Sequence, residues 1–394
     1  MTHSGGRRCG PWVGLLLLLS ACTAPMGSPA ATSHDPGEPA VVTQLPGWRT
    51  DFSLMAEGIT QDQFLRALAG RDLIPPIDEP RFASVADVDY LTDAEPVIAV
   101  EVRGEWRAYP IQILIWHEIV NDRIAGQPIT VTFCPLCYTS VVFDRRVDRD
   151  VLSFGVTGYL RRSDLVMYDR QTETWWQQAT GRALIGDLVG HTLTILSSQL
   201  VSWATFRATH READVLSRDT GVQRPYGSNP YPGWDITERN PFLGPAQLTP
   251  CEGADACIDP KERVGLLLEG GENVVYRFLA VADAGGVVHD TAGGTPVMVV
   301  WHPDVTSALG NSLLERSDQV GTLVAFDRRV GASELTFTVR GEALVDEQTG
   351  STWNELGTAT SGPLAGEQLR RLVMDTPYWF AAAAFTANLR IWTP

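Results

Sequence analysis

The chain contains a single lysine, Lys261; its other positive charges are arginines, and its net charge is −16. No basic cluster stands out, so nucleic acid is excluded as a partner, because phosphate binding needs a basic surface. Electrostatic attraction to anionic lipid is disfavoured for the same reason. There is no Walker loop, no GxGxxG behind a strand, no HExxH and no EF-hand loop. Long amphipathic helices are also missing, which disfavours a strictly alternating βα chain. Cysteine is scarce, with 6 in 394 residues. The apolar run Val13–Leu19 falls short of the about 20 residues that span a bilayer.

That short run has a different meaning. Arg7 and Arg8 precede it, and small residues follow, which is the pattern of a secretory signal. Leu19-Ser20-Ala21-Cys22 resembles the bacterial lipobox, in which the cysteine is lipidated and becomes the mature N-terminus. The resemblance implies a signal peptide over 1–21, a lipid anchor on Cys22 and a place in the cell envelope, membrane-anchored and facing the periplasm or exterior. Residues 22–50, rich in Ala, Pro, Ser, Gly and Thr, read as a flexible tether. Outside the cytosol thiols are usually oxidised or metal-bound. Cys251 and Cys257 bracket the polar loop Glu-Gly-Ala-Asp-Ala and are expected to form a small disulfide.

Laid against itself, the chain repeats. Val141–Val147 (VVFDRRV) recurs as Val324–Val330 (VAFDRRV). Asp169, Thr172, Trp176, Gly181, Gly186, Gly190 and Leu193 align with Asp346, Thr349, Trp353, Gly357, Gly362, Gly366 and Leu369. Val120–Val131 matches Val288–Val299. Further on, Trp203 aligns with Trp379, and four blocks in the same order indicate a duplication. The expected layout is a lead-in over 51–82, a first lobe over 83–215, a connector over 216–260 and a second lobe over 261–394. Each lobe reads as β-rich. Pro96–Pro110 has two apolar runs around Arg103-Gly104, a hairpin signal, and Gln127–Phe133 alternates as a strand. Short helices are expected at Ser202–His210 and Tyr378–Ala387, and helical spacing at Phe64, Leu65 and Leu68 predicts another before Gly70. The fold class is therefore α+β and β-rich, as two tandem copies of one lobe that could pack as a pseudo-symmetric body.

The copies differ at one place. Cys134-Pro135 aligns with His302-Pro303, Cys137 with Val305 and Asn121 with His289. In Thr132–Ser140 (TFCPLCYTS), Pro135 favours a turn at a strand end that brings Cys134 and Cys137 together. Four uses are open: a site for a soft metal, copper or zinc; a redox pair; a structural disulfide; or a nucleophile with His117 as base. A hairpin joining the two segments would carry His117 to the thiols, with Glu118 and Asp122 as oxygen ligands or orienters. Asp164, Tyr168, Asp169, Trp176 and Gln178 form another polar–aromatic cluster. The repetition of Asp169 and Trp176 favours a turn with a packed indole there.

Ala108–Arg145, with its Ala-Tyr-Pro, His-Glu-Ile-Val-Asn-Asp, Cys-Pro-Leu-Cys and Phe-Asp-Arg strings, resembles the bacterial domain-of-unknown-function family 3179. The resemblance continues through Asp72–Phe82, Phe154–Gly181, Arg224–Tyr231 and the second copy. It implies no settled activity, substrate or partner. Tyr138 departs from the family pattern, which has glycine after the second cysteine.

Overall fold

The computed structural model describes residues 44–235, 258–341 and 343–394. Cys22, Cys251 and Cys257 lie outside them. Strand exceeds helix, 43% to 11%, so sheets rather than helices carry the core. The four α-helices among the described residues are short: α1 (Ile111–His117), α2 (Trp203–Thr209), α3 (Phe278–Asp283) and α4 (Trp379–Phe385). Ser202 caps α2 by accepting from the Thr205 amide at 3.2 Å, which satisfies one of the helix's free N–H groups.

The expected hairpin is present, with Pro96–Val102 antiparallel to Glu105–Pro110. Ser198–Ser202 flanks it on one side, and Asp214–Leu216 and then Phe82–Ser84 on the other. Helix α1 follows directly and leads into a meander of Ile119–Ile124, Gln127–Cys134 and Thr139–Asp144, with Ile195–Leu196 at its edge. A third sheet orders Phe64–Arg66, Phe154–Arg161, Asp164–Asp169, Trp175–Gln177 and Ala183–Ile185.

After residue 260 the chain builds sheets of similar order. Val264–Glu269 pairs with Glu272–Arg277, flanked by Val373–Asp375 and Leu389–Ile391. Helix α3 leads into Val287–Ala292, Thr295–His302 and Thr322–Asp327, edged by Arg370–Arg371. Phe337–Arg340, Ala343–Asp346, Thr352–Trp353 and Ala359–Ser361 form the last sheet.

Apolar side chains from both stretches share one core. Val97, Val201, Trp203 and Phe206 cluster with Met298, Val324, Phe326 and Trp353. At about 25 cal/mol per Å² of apolar area removed from water, such mixed burial stabilises the contact between them.

One sequence expectation fails. The segment before Gly70 holds a short 3₁₀ turn, Gln61–Gln63, and then a strand, Phe64–Arg66, paired with Tyr159–Arg161. Its three apolar residues are too few for a buried helical stripe, and Leu65 stays 49% exposed. The edge of the neighbouring strand offers backbone partners instead, and tertiary pairing overrides the local spacing.

Candidate metal centre

Cys134 ends one strand of the meander, and its ladder partner Thr139 begins the next. The chain reverses through Pro135, Leu136, Cys137 and Tyr138. Tyr138 closes the turn at φ 57°, the left-handed region that disfavours a residue with a Cβ. This is where the family pattern has glycine, so the departure concerns the side chain and not the backbone. The Tyr138 ring is buried against Phe133 and Tyr378, at centroid distances of 5.4 and 5.7 Å, and the Arg263 guanidinium lies 3.6 Å from its centroid. Its hydroxyl accepts from the Ala308 amide at 3.1 Å.

The turn's carbonyls are also held. Cys137 O accepts from the Tyr378 amide at 2.9 Å, and Leu136 O accepts from Trp234 Nε1 at 3.1 Å.

The turn holds both sulfurs inward. They lie 4.0 Å apart as free thiols, and both residues are buried. Facing them is the tip of the hairpin Phe154–Arg161/Asp164–Asp169. Arg162 and Ser163 turn it with φ values of 50° and 64°, in a two-residue turn that usually takes Asn-Gly. An irregularity in pairing between Val156 and Leu160 bends the hairpin, as bulges near functional sites do. The tip delivers the Ser163 carbonyl to within 3.3 Å of Cys137 Sγ and 3.9 Å of Cys134 Sγ. The carboxylate of Asp164, which is fully buried, completes the set. It and the two sulfurs all lie within 4.8 Å of one another.

Asp164 is oriented by the Gln177 side-chain amide at 2.5 Å and the Ala179 amide at 2.9 Å. Gln178 ties the meander together, accepting from Thr139 Oγ1 at 2.6 Å and donating to Thr132 Oγ1 at 2.8 Å.

The electrostatics follow from burial. Burial pushes the Asp164 carboxyl up to about 6 against the pull of its hydrogen bonds. Burial, then the hydrogen bond with Cys134, pushes the Cys137 thiol well above its ordinary range; Cys134 rises too, with the Asp164 and Glu118 charges contributing. Glu118 is pushed to about 8, by burial first and then by Asp164. Such thiols are poor nucleophiles, because the thiolate is the reactive form. A bound cation reverses this, stabilising thiolates and carboxylate together.

The sequence-derived candidates divide. The expected hairpin pairs Ile119–Ile124 with Gln127–Cys134, Ile119 opposite Thr132. His117, however, spends both ring nitrogens elsewhere, Nδ1 on Pro75 O and Nε2 on Tyr226 Oη, each at 2.6 Å. Burial lowers its pKa, and it is not in the converging group. Asp122 is bound by Arg107 at 2.7 Å and by the Tyr109 hydroxyl. Glu118 is buried beside the thiols, at φ 59° and with no hydrogen bond to its carboxyl among the described residues. Asp169 and Trp176 make the expected turn, with Trp176 Nε1 donating to Asp169 at 2.9 Å.

Sequence reasoning did not bring Asp164 and Ser163 to the thiols. The available signal was Arg162-Ser163 between two apolar runs, a hairpin whose tip must point somewhere. Tyr231 also adjoins the site, and the Glu118 and Cys134 charges help to raise its pKa after burial.

The family described as protein of unknown function (DUF3179) matches residues 71–388. The chain belongs to this family. The match takes in every residue of the thiol site and all of the described strands but Phe64–Arg66 and Leu389–Ile391. No curated protein and no solved structure matches the chain.

Proposed function

We propose that this member of the family binds a transition-metal cation through Cys134 Sγ, Cys137 Sγ and the Asp164 carboxylate. One observation carries the reading: two thiols and a carboxylate converge within 4.8 Å in a fully buried spot. Zn–S bonds of about 2.3 Å at tetrahedral angles place two sulfurs about 3.8 Å apart, close to the 4.0 Å of this pair. The mixed sulfur and oxygen donor set suits zinc better than copper(I), which favours soft donors alone. The Ser163 carbonyl faces the same point, and Glu118 lies beside it. Burial favours an ion over thiol exchange, since a partner thiolate must reach a sulfur in line. The test is metal analysis of protein purified from its exported location. One zinc per chain, lost in Cys134→Ser, is expected; a metal-free dithiol or a Cys134–Cys137 disulfide in that material rejects the site.

Two further readings accompany it. The similar sheet orders and the aligned blocks support one duplicated unit packed as a pseudo-symmetric body. The lipobox resemblance supports a membrane anchor at Cys22, so Cys22→Ser is expected to leave the membrane fraction; unchanged fractionation rejects the anchor. The expected disulfide between Cys251 and Cys257 is checked by mass spectrometry of the exported protein.

A further inference from the structure

Glu118 is the acid that the three-donor set leaves out. It ends helix α1, and its carbonyl accepts from the Phe133 amide at 2.9 Å. That bond seats it across the ladder from the residue before Cys134. It is only 6% exposed, and its carboxyl has no hydrogen-bond partner among the described residues. Buried carboxylates are ordinarily paired, and one without a protein partner calls for a water or a ligand. Glu118 is not among the atoms that lie within 4.8 Å of one another, so it stands too far out to ligate with them. Its charge nevertheless bears on Cys134 from the meander and on Asp164 from the hairpin.

Three protein donors leave a tetrahedral ion one position short. The Ser163 carbonyl, 3.3 and 3.9 Å from the sulfurs, faces that position. Main-chain carbonyls, however, suit calcium and magnesium rather than zinc. A water fits better. Bound at about 2.1 Å and donating across about 2.7 Å, it places its acceptor about 4 Å from the ion, outside the ligand shell. Its two O–H groups then have two acceptors, the Glu118 carboxylate and the Ser163 carbonyl.

We propose that the fourth ligand of the metal is an exchangeable water that Glu118 holds as a positioning residue. The inference rests on the metal reading above. It makes the centre an open one, whose ion acidifies the water while Glu118 stands ready to accept its proton.

The test is electron–nuclear double resonance on the cobalt-substituted full chain in H₂O and in D₂O, read beside the thiolate–cobalt absorption. Wild type should show exchangeable deuterons strongly coupled to cobalt, a result that needs no variant. Glu118→Leu should keep the absorption, weaken the deuteron coupling and lower zinc affinity by about 10- to 100-fold, the cost of losing an outer partner. Glu118→Gln, which still accepts a hydrogen bond, should keep the coupling and lose less affinity. Thiolate–cobalt absorption without coupled deuterons in wild type overturns the proposal and leaves the metal site standing, with a protein oxygen in the fourth position. Unchanged coupling and affinity in Glu118→Leu, or equal losses in the leucine and glutamine variants, also overturns it. A wild type without thiolate–cobalt absorption rejects the metal reading itself, and this inference with it.

Discussion

Two corners of this molecule use similar backbones for different ends. In one, Cys134 and Thr139 end paired strands beneath a hairpin tip, and Gln178 ties them together. In the other, His302 and Thr322 end paired strands under open space, with Glu355 in the aligned place of Gln178. The backbone torsions sharpen the contrast. Gly286 and Gly321, at φ 82° and 71°, serve the second corner; Glu118 and Tyr138 occupy the aligned places in the first, at φ 59° and 57°. A left-handed conformation costs an L-residue about 1–2 kcal/mol. The first corner therefore bears strain that glycine would relieve, and strain of this kind concentrates at functional sites. Of its two strained side chains, the Glu118 carboxylate bears on Cys134 through its charge, and the Tyr138 ring anchors the thiol loop.

The largest expected effect separates the corners by metal. Cys134→Ser and Cys137→Ser should each lower zinc affinity by more than the about 10- to 100-fold that loss of an outer partner costs. His302→Ala should leave it unchanged. A cobalt-substituted protein gives the reading, since thiolate–cobalt absorption should vanish in the cysteine variants alone. Loss of that absorption in His302→Ala would break the comparison.

Tyr138→Gly sharpens it next. The substitution removes the strain but also a buried ring, its cover over Arg263 and its bond from Ala308. Truncating a buried aromatic to alanine costs about 3–5 kcal/mol, and relief of strain returns about 1. Net destabilisation of about 2–4 kcal/mol in urea unfolding is therefore expected. The reverse change at Gly321 has no room, since a Cβ there would lie 2.0 Å from Trp301. A neutral Tyr138→Gly would mean that the ring anchors nothing.

The strands were legible in the sequence because alternation and aligned blocks mark them. The meander, the first hairpin, α2 and α4 stand where the pattern put them. The segment at Phe64 was misread because three apolar residues satisfy either period, and only the neighbouring strand edge decides. The thiol pair was legible from Pro135 between two cysteines. Its partner Asp164 was not, because the aim of a hairpin depends on an irregularity at Val156–Leu160 that no local pattern announces. His117 looked close along the chain, yet its ring is held by Pro75 and Tyr226, contacts set by segments far away in sequence.

Glu118→Gln probes the strained acid by pH. In metal-free protein burial, and then the Asp164 charge, push the folded Glu118 carboxyl up to about 8, from 4.5 in the unfolded chain. A raised carboxyl contributes stability that is complete below the unfolded value and is lost as pH rises through the folded one. Wild type should therefore weaken between pH 4.5 and 8, and Glu118→Gln should flatten that slope, with a gain at the upper end bounded by about 5 kcal/mol. Zinc should shrink the difference, because a nearby cation favours the charged carboxylate. Equal slopes with and without Glu118 would remove it from the site.

The smallest effect tests what the two stretches share. Asp169 accepts from the Thr172 amide at 2.6 Å and from Trp176 Nε1 at 2.9 Å; Asp346 accepts from the Thr349 amide at 2.6 Å and from Trp353 Nε1 at 3.0 Å. Both carboxylates thus close a turn and hold a buried indole, with no role in either corner's chemistry. Asparagine keeps the shape but gives up the charge and one acceptor oxygen. Asp169→Asn and Asp346→Asn should each cost about 1–2 kcal/mol, the margin of a charge-assisted over a neutral hydrogen bond. The double variant should cost the sum, since separated sites add. Zinc content should stay the same in all three. Equal losses without loss of metal would make the turn common framework and leave the thiol site to Cys134, Cys137 and Asp164. A metal loss confined to Asp169→Asn would instead extend the first corner into its framework, and the division between shared turn and specialised site would have to be redrawn at that residue.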